Sequence, residues 1–190
     1  MIKYLLYILI IVCLISCEHN ASPYPHVLIT TDLGEIELEI YTDKAPITAN
    51  AFLLNVGKKL YKNSFFYRVL KTDDAENNIN PGLIQGGVYA SKITAPLIPH
   101  EPTTLSGLSH TDGVVSMART QAGTASTEFF ICIGDQSPLD AGRRGTGDSL
   151  GMAAFAKVFK GMNVVKRIQD QPNTGDAFNR NIKIFSIKKI

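Results

Sequence analysis

The chain has 190 residues, 45% of them apolar and 19% charged, with 15 glycines and 9 prolines, which is the profile of one globular domain and not of a disordered tail or fibrous repeat. Its 19 basic and 17 acidic residues leave a formal charge of +2, which lacks the basic excess expected of a nucleic-acid partner. Three cysteines, Cys13, Cys17 and Cys132, are too few and too unevenly spaced for a zinc site or a disulfide scaffold, so no metal is expected.

Lys3 precedes an apolar run of about a dozen residues, Tyr4 to Ile15, followed by Ser16 and Cys17. A bilayer-spanning helix needs about 20 apolar residues, so this run reads as the core of a secretory signal and not as a permanent span. The ending Leu14-Ile15-Ser16-Cys17 resembles the bacterial lipobox, where cleavage occurs before an acylated cysteine. Residues 1–16 are therefore expected to be a signal and Cys17 the lipid attachment site. The alternatives are an uncleaved anchor or a plain signal cut a few residues later. Residues 17–26, polar and broken by Pro23 and Pro25, read as a spacer. The expected location is outside the cytoplasm, in the bacterial cell envelope, with the body tethered to a membrane by lipid.

The body, residues 27–190, begins with a β-hairpin: Val27 to Thr31, a turn at Gly34, then Glu35-Ile-Glu-Leu-Glu-Ile-Tyr41 in strict polar–apolar alternation. Pro46 at a first helical position, apolar residues at Ile47, Ala51 and Leu54, and a closing Gly57 predict a helix. Strands are predicted at Phe65–Leu70 and Leu83–Tyr89, separated by the polar stretch Lys71–Asn80, whose acids lack the spacing of a calcium loop. Gly113–Ala118, Glu128–Ile133, Ala153–Phe159 and Ile182–Lys188 complete the strands, with a surface turn at Gly142–Gly151 and a second helix at Met162–Ile168. Cys132, inside Phe129-Phe-Ile-Cys-Ile133, reads as a small buried hydrophobe. About eight short strands with two helices that never alternate with them one for one point to an antiparallel barrel or sandwich. No internal repeat is visible, and nothing indicates an oligomer, so a monomer is expected.

His100 and His110 lie near Glu101 and Asp112, with Ser106, Ser109 and Ser116 available, yet no nucleophile-elbow or metal-ligand pattern appears, and both histidines are expected at the surface. Three other segments are harder to explain as core. Arg68 interrupts an aromatic strand, Gln85-Gly-Gly opens the backbone to close approach, and Phe129-Phe130 follows a loop of small residues.

At these segments the chain resembles the cyclophilin-type peptidyl-prolyl cis-trans isomerases. The matching motifs run in order: Gly34–Tyr41, Ala45-Pro-Ile-Thr-Ala-Asn-Ala-Phe52, Phe66-Tyr-Arg68, Gln85-Gly-Gly, Gly113–Arg119, Ser126-Thr-Glu-Phe-Phe-Ile131, Leu139-Asp140, Phe155-Ala-Lys-Val158 and Gly161–Val165. The resemblance implies a closed eight-stranded antiparallel barrel capped by two helices. It implies Arg68 as the catalytic cation and a proline-ring pocket of Phe130 and Leu139 with Leu83 or Ile84. It also implies contacts to a proline-containing polypeptide from Gln85, Met117, Ala118, Arg119, Glu128 and Met152, and no cofactor. The chain departs from the family pattern at Tyr67 (a usual histidine), Arg119 (asparagine), Glu128 (glutamine), Pro138 (a large residue) and Met152 (histidine), and in the Lys71–Asn80 insertion, which displaces a pocket phenylalanine. Glu128 and Arg119 are expected to pair across the groove. Arg68 also suits a structural ion pair and Gln85 an ordinary strand edge, and a non-catalytic prolyl-peptide binder or holdase on the same barrel is the other functional class.

Overall fold

In a computed structural model, residues 22–72, 81–88 and 95–190 are described. The signal run, Cys17 and most of the Lys71–Asn80 insertion lie outside the described residues. The element order is β1 (His26–Thr31), β2 (Gly34–Ile40), α1 (Pro46–Gly57), β3 (Ser64–Lys71), β4 (Gly82–Gly87), α2 (Thr103–Ser106), β5 (Val114–Met117), β6 (Phe129–Ile133), β7 (Ala153–Lys160), α3 (Met162–Gln169), β8 (Asn173–Thr174) and β9 (Ala177–Lys189).

The expected barrel is present. Antiparallel pairing runs β1-β2-β7-β5-β6-β4-β3-β9, and β9 pairs back onto β1, with Val27 opposite Lys189 and Ile29 opposite Ile187. Closure leaves no free edge among these eight strands. The two-residue β8 is an appendage that forms a hairpin with β9, and the one-turn α2 adds a third helix to the two expected.

Alternation fixes which side chains enter the barrel. In β2, Ile36, Leu38 and Ile40 are fully buried while Glu35, Glu37 and Glu39 face outward. Inside, Phe129 sits at the centre of an aromatic cluster, 5.8 Å from Phe52, 5.7 Å from Tyr61 and 5.8 Å from Phe66, meeting each ring edge to face.

Strand β6 departs from simple alternation because all five of its residues are buried. Phe129, Ile131 and Ile133 fill the barrel, whereas Phe130 and Cys132 form a second small cluster with Leu83 on the outer face. That outer cluster is covered by Leu70, Ala118, Leu139 and Met152. Cys132 is a free thiol whose pKa is pushed up by burial, so it packs as an apolar group, as expected.

Helix α1 starts at the predicted Pro46, but its preceding residue, Ala45, supplies no side-chain cap. The buried Glu101 does so instead, accepting hydrogen bonds from the backbone N–H groups of Ile47 at 3.2 Å and Thr48 at 2.9 Å. A carboxylate there satisfies orphan donors and complements the positive end of the helix dipole. Among the described residues no helix is long and apolar enough to cross a membrane.

Candidate functional site

Strands β3, β4 and β6 lie side by side, and their outward residues line a groove of about 510 Å³. Arg68, Leu83, Gln85, Ala118, Arg119, Glu128, Phe130, Leu139 and Met152 all border it, so nine sequence-predicted residues converge on one concave face. Two do not. Ile84 and Met117 are fully buried in the barrel core. The reason is the strand period: Ile84 lies between the outward Leu83 and Gln85, and Met117 precedes the outward Ala118. The pocket wall is therefore Leu83, 6% exposed against Phe130, with Leu70 beside it.

Close backbone approach makes this surface possible. Where β4 meets β3, a Cβ on Gly82 would lie 2.0 Å from the Leu70 carbonyl oxygen. At Gly87, φ is 148° and a Cβ would fall 2.5 Å from the Glu128 carboxylate. The second glycine of Gln85-Gly-Gly thus gives Glu128 its place against the backbone.

A continuous polar relay crosses the groove. Tyr67 Oη donates to Glu128 Oε2 at 2.7 Å and accepts from Gln85 Nε2 at 2.7 Å. Gln85 Oε1 accepts from Arg68 Nη1 at 3.1 Å, and Arg68 Nη2 and Nε donate to Asp176 Oδ2 at 2.8 and 3.3 Å. Burial raises the pKa of the Glu128 carboxyl, against hydrogen bonds from Tyr67 and Thr127 that pull it down. Burial, then the adjacent Glu128, pushes the Tyr67 phenol well up, so it remains a donor. Arg68 contributes a planar guanidinium with five N–H donors. It is both the groove's cation and an ion-pair partner, since Asp176 fixes one edge of its guanidinium. Asp176, in the β8–β9 turn, carries no sequence signal of this role, because Asn-Thr-Gly-Asp indicates only a turn.

The expected Arg119–Glu128 pair does not form. Arg119 has a side chain only 3% exposed and grips Asp148 with two nitrogens, at 2.7 and 3.0 Å, while also donating to the Gly151 carbonyl. This guanidinium holds the Asp148 carboxyl well below the usual range and ties down the Gly142–Gly151 turn beside the groove.

His110 also differs from expectation, because it is fully buried. The segment after Leu139 covers it: Nδ1 meets Asp140 Oδ1 at 2.5 Å, Nε2 meets Ser116 Oγ at 3.1 Å, and the ring stacks on Phe130 at 6.0 Å. The Ser–His–Asp order is not a hydrolytic centre, since Ser116 and His110 are both fully buried and closed to substrate. It seats the pocket floor. His100, by contrast, is only partly buried, bonded to the Leu150 carbonyl.

Burial outweighs the Asp140 carboxylate and holds the His110 pKa below its ordinary value. The unfolded chain therefore takes up this proton first as pH falls, so the contribution is complete above pH about 6.5 and is lost progressively below it. Urea midpoints measured between pH 7.5 and 5.5 are expected to decline with acid, and His110→Asn is expected to flatten the decline. Parallel slopes in the two proteins would exclude a buried neutral imidazole.

Comparisons with known proteins agree with the fold. Residues 26–189 match the family model described as cyclophilin type peptidyl-prolyl cis-trans isomerase/CLD. A peptidyl-prolyl cis-trans isomerase of Acinetobacter baylyi is 35% identical over 165 residues, 84% of this chain and 80% of the relative. Isomerase B of Escherichia coli is 36% identical over 147 residues, 73% of this chain and 80% of the relative. In fold, the chain is similar to a Cryptosporidium parvum cyclophilin-type isomerase with a TM-score of 0.71 at 20% identity, covering 88% of this chain and 98% of that one. With family model, bacterial relatives and barrel coinciding over the same stretch of sequence, the chain belongs to the cyclophilin-type peptidyl-prolyl cis-trans isomerases.

Proposed function

We propose that this chain isomerises prolyl bonds in exported proteins, with Arg68 as its catalytic residue, while tethered to a membrane through acylated Cys17. The observation that carries the catalytic part is the meeting of Arg68, Phe130, Leu83 and Leu139 on one groove.

A prolyl amide resists rotation by about 18–20 kcal/mol because its C–N bond has partial double-bond character. Twisting that bond localises the lone pair on nitrogen. A guanidinium has five N–H donors, and the Asp176 and Gln85 contacts engage three of Arg68's, leaving two to turn toward the groove. A hydrogen bond to the prolyl nitrogen is stronger in the twisted state than in the planar one, which is the condition for acceleration. Phe130, Leu83, Leu139 and Met152 hold the proline ring while Gln85 and the backbone at Ala118 and Arg119 hold the flanking chain, so one side of the bond is fixed and the other turns. No covalent intermediate or cofactor takes part.

Membrane tethering rests on the sequence 1–17. Acyl chains on Cys17, more than one being needed for stable attachment, would keep the barrel at the surface where exported chains fold.

The full-length protein is expected to accelerate a protease-coupled prolyl isomerisation assay above the uncatalysed rate, and equality with that rate would rule out the enzyme in favour of a holdase. Separately, fatty-acid labelling in cells is expected for the wild type and not for Cys17→Ser, and equal labelling would exclude Cys17 as the attachment site.

A further inference from the structure

A larger cavity, about 1040 Å³, lies away from the catalytic groove between helix α1 and strand β9, and the two share no residue. Its walls are apolar: Leu53, Leu54, Phe185 and Ile187, with Leu54 54% and Phe185 44% exposed. Lys59, Lys62, Lys188 and Lys189 line it too, and no carboxylate does. The segments Leu54–Asn63 and Lys183–Ile190 together hold six lysines and no acid, in a chain whose whole formal charge is +2. Contiguous exposed apolar surface on a folded domain marks a contact site, and a cationic rim around it suits an anionic lipid headgroup layer.

Position supports the same occupant. The Ile190 N–H donates to the His26 carbonyl at 3.1 Å, and Val27 pairs with Lys189, so the strand entering from the spacer runs beside the basic end of β9. From Cys17 to Ser22 the chain reaches at most about 17 Å when fully extended. A lipid on Cys17 therefore holds the barrel within a short distance of the membrane, by the end at which β1 begins and β9 finishes. A second copy seated symmetrically on the same cavity would set lysines against lysines, a repulsive arrangement.

We infer that the α1–β9 cavity is a docking face for an anionic bilayer, orienting the barrel so that the catalytic groove stays open to solvent. The inference takes its orientation from the proposed tether, but its test does not depend on acylation.

The chain has no tryptophan, so Phe185→Trp creates a single fluorescent reporter in the cavity. It is made in full-length protein carrying Cys17→Ser and mixed with vesicles of phosphatidylcholine, alone or with phosphatidylglycerol at about three to one. With phosphatidylglycerol present, the emission is expected to shift to shorter wavelength and to be quenched by lipids brominated on their acyl chains. A reporter made by Leu105→Trp, on α2 and 77% exposed, is expected to show neither effect. Affinity for the anionic vesicles is expected to exceed that for neutral ones by about tenfold or more, and to lose that excess at high salt. Lys59→Glu/Lys62→Glu/Lys188→Glu is expected to abolish the excess while leaving isomerase activity intact. Three results would overturn the inference: vesicle-bound protein whose cavity reporter is not quenched, an anionic excess that survives the triple charge reversal, or a blue shift that grows with protein concentration in the absence of lipid. The last would identify a second copy as the occupant.

Discussion

Arg68→Ala is expected to lower kcat/KM for a prolyl peptide by about 10²–10³-fold, the usual consequence of removing one preorganised donor aimed at a transition state. Folding is expected to survive, because the side chain is 40% exposed and its ion pair with Asp176 is solvent-facing, a class of contact worth about 0–1 kcal/mol. Arg68→Lys keeps the charge but loses the planar fork that binds Asp176 and Gln85 together, so a loss of about tenfold or more is expected there as well. The loss should appear in kcat with little change in KM, since the bond to nitrogen strengthens only in the twisted state. Unchanged kcat/KM in both variants, measured by protease-coupled assay on folded protein, would show that the catalytic cation has been misassigned.

Adjacent phenylalanines are expected to fail in different ways. Phe129 is fully buried among Phe52, Tyr61 and Phe66, so Phe129→Ala opens a dry cavity and is expected to cost about 3–5 kcal/mol. For a domain whose whole stability is about 5–15 kcal/mol, that is a large share, and urea unfolding should register it directly. Phe130 is nearly as buried, 2% exposed in the outer cluster, so its truncation also costs stability, but unlike Phe129 it borders the groove. Its loss falls on binding as well: losing a Phe-sized apolar contact, about 1.5–3 kcal/mol, corresponds to roughly a 10- to 100-fold drop in kcat/KM. Equal kcat/KM in the folded fraction of the two variants would contradict the assignment of their faces.

That division between neighbouring residues also shows what is legible in the chain. The Glu-Ile-Glu-Leu-Glu-Ile alternation of β2 and the Pro46 start of α1 are local signals, and both appear where expected. Ile84 and Met117 are misplaced when motif neighbours are treated as a group, although the period-two rule already separates Leu83 and Gln85 from Ile84. Met117 fails for the same reason beside Ala118. Other features have no local signal at all. Glu101 caps a helix that begins more than fifty residues earlier, Asp148 takes the guanidinium expected on Glu128, and Asp176 anchors Arg68 from a distant turn. In each case the carboxylate's partner is chosen by how the barrel closes, which spacing along the chain does not encode. His110 looks like a surface residue in the sequence because its cover, Leu139-Asp140, comes from a segment nearly thirty residues away.

The seam between β1 and β9 joins the two ends of the domain, with Val27 against Lys189. During synthesis the first strand emerges early and waits for β9, so the barrel cannot close until the β9 residues that face β1 are delivered. Non-local closure of this kind is slow and cooperative, because loop entropy is spent before the final pairing compensates it. A prolyl isomerase of this family is thus itself among the proteins that cannot begin work half-made: a truncation removing only the end of β9 would leave β1 with an open edge and the groove's strands without their frame.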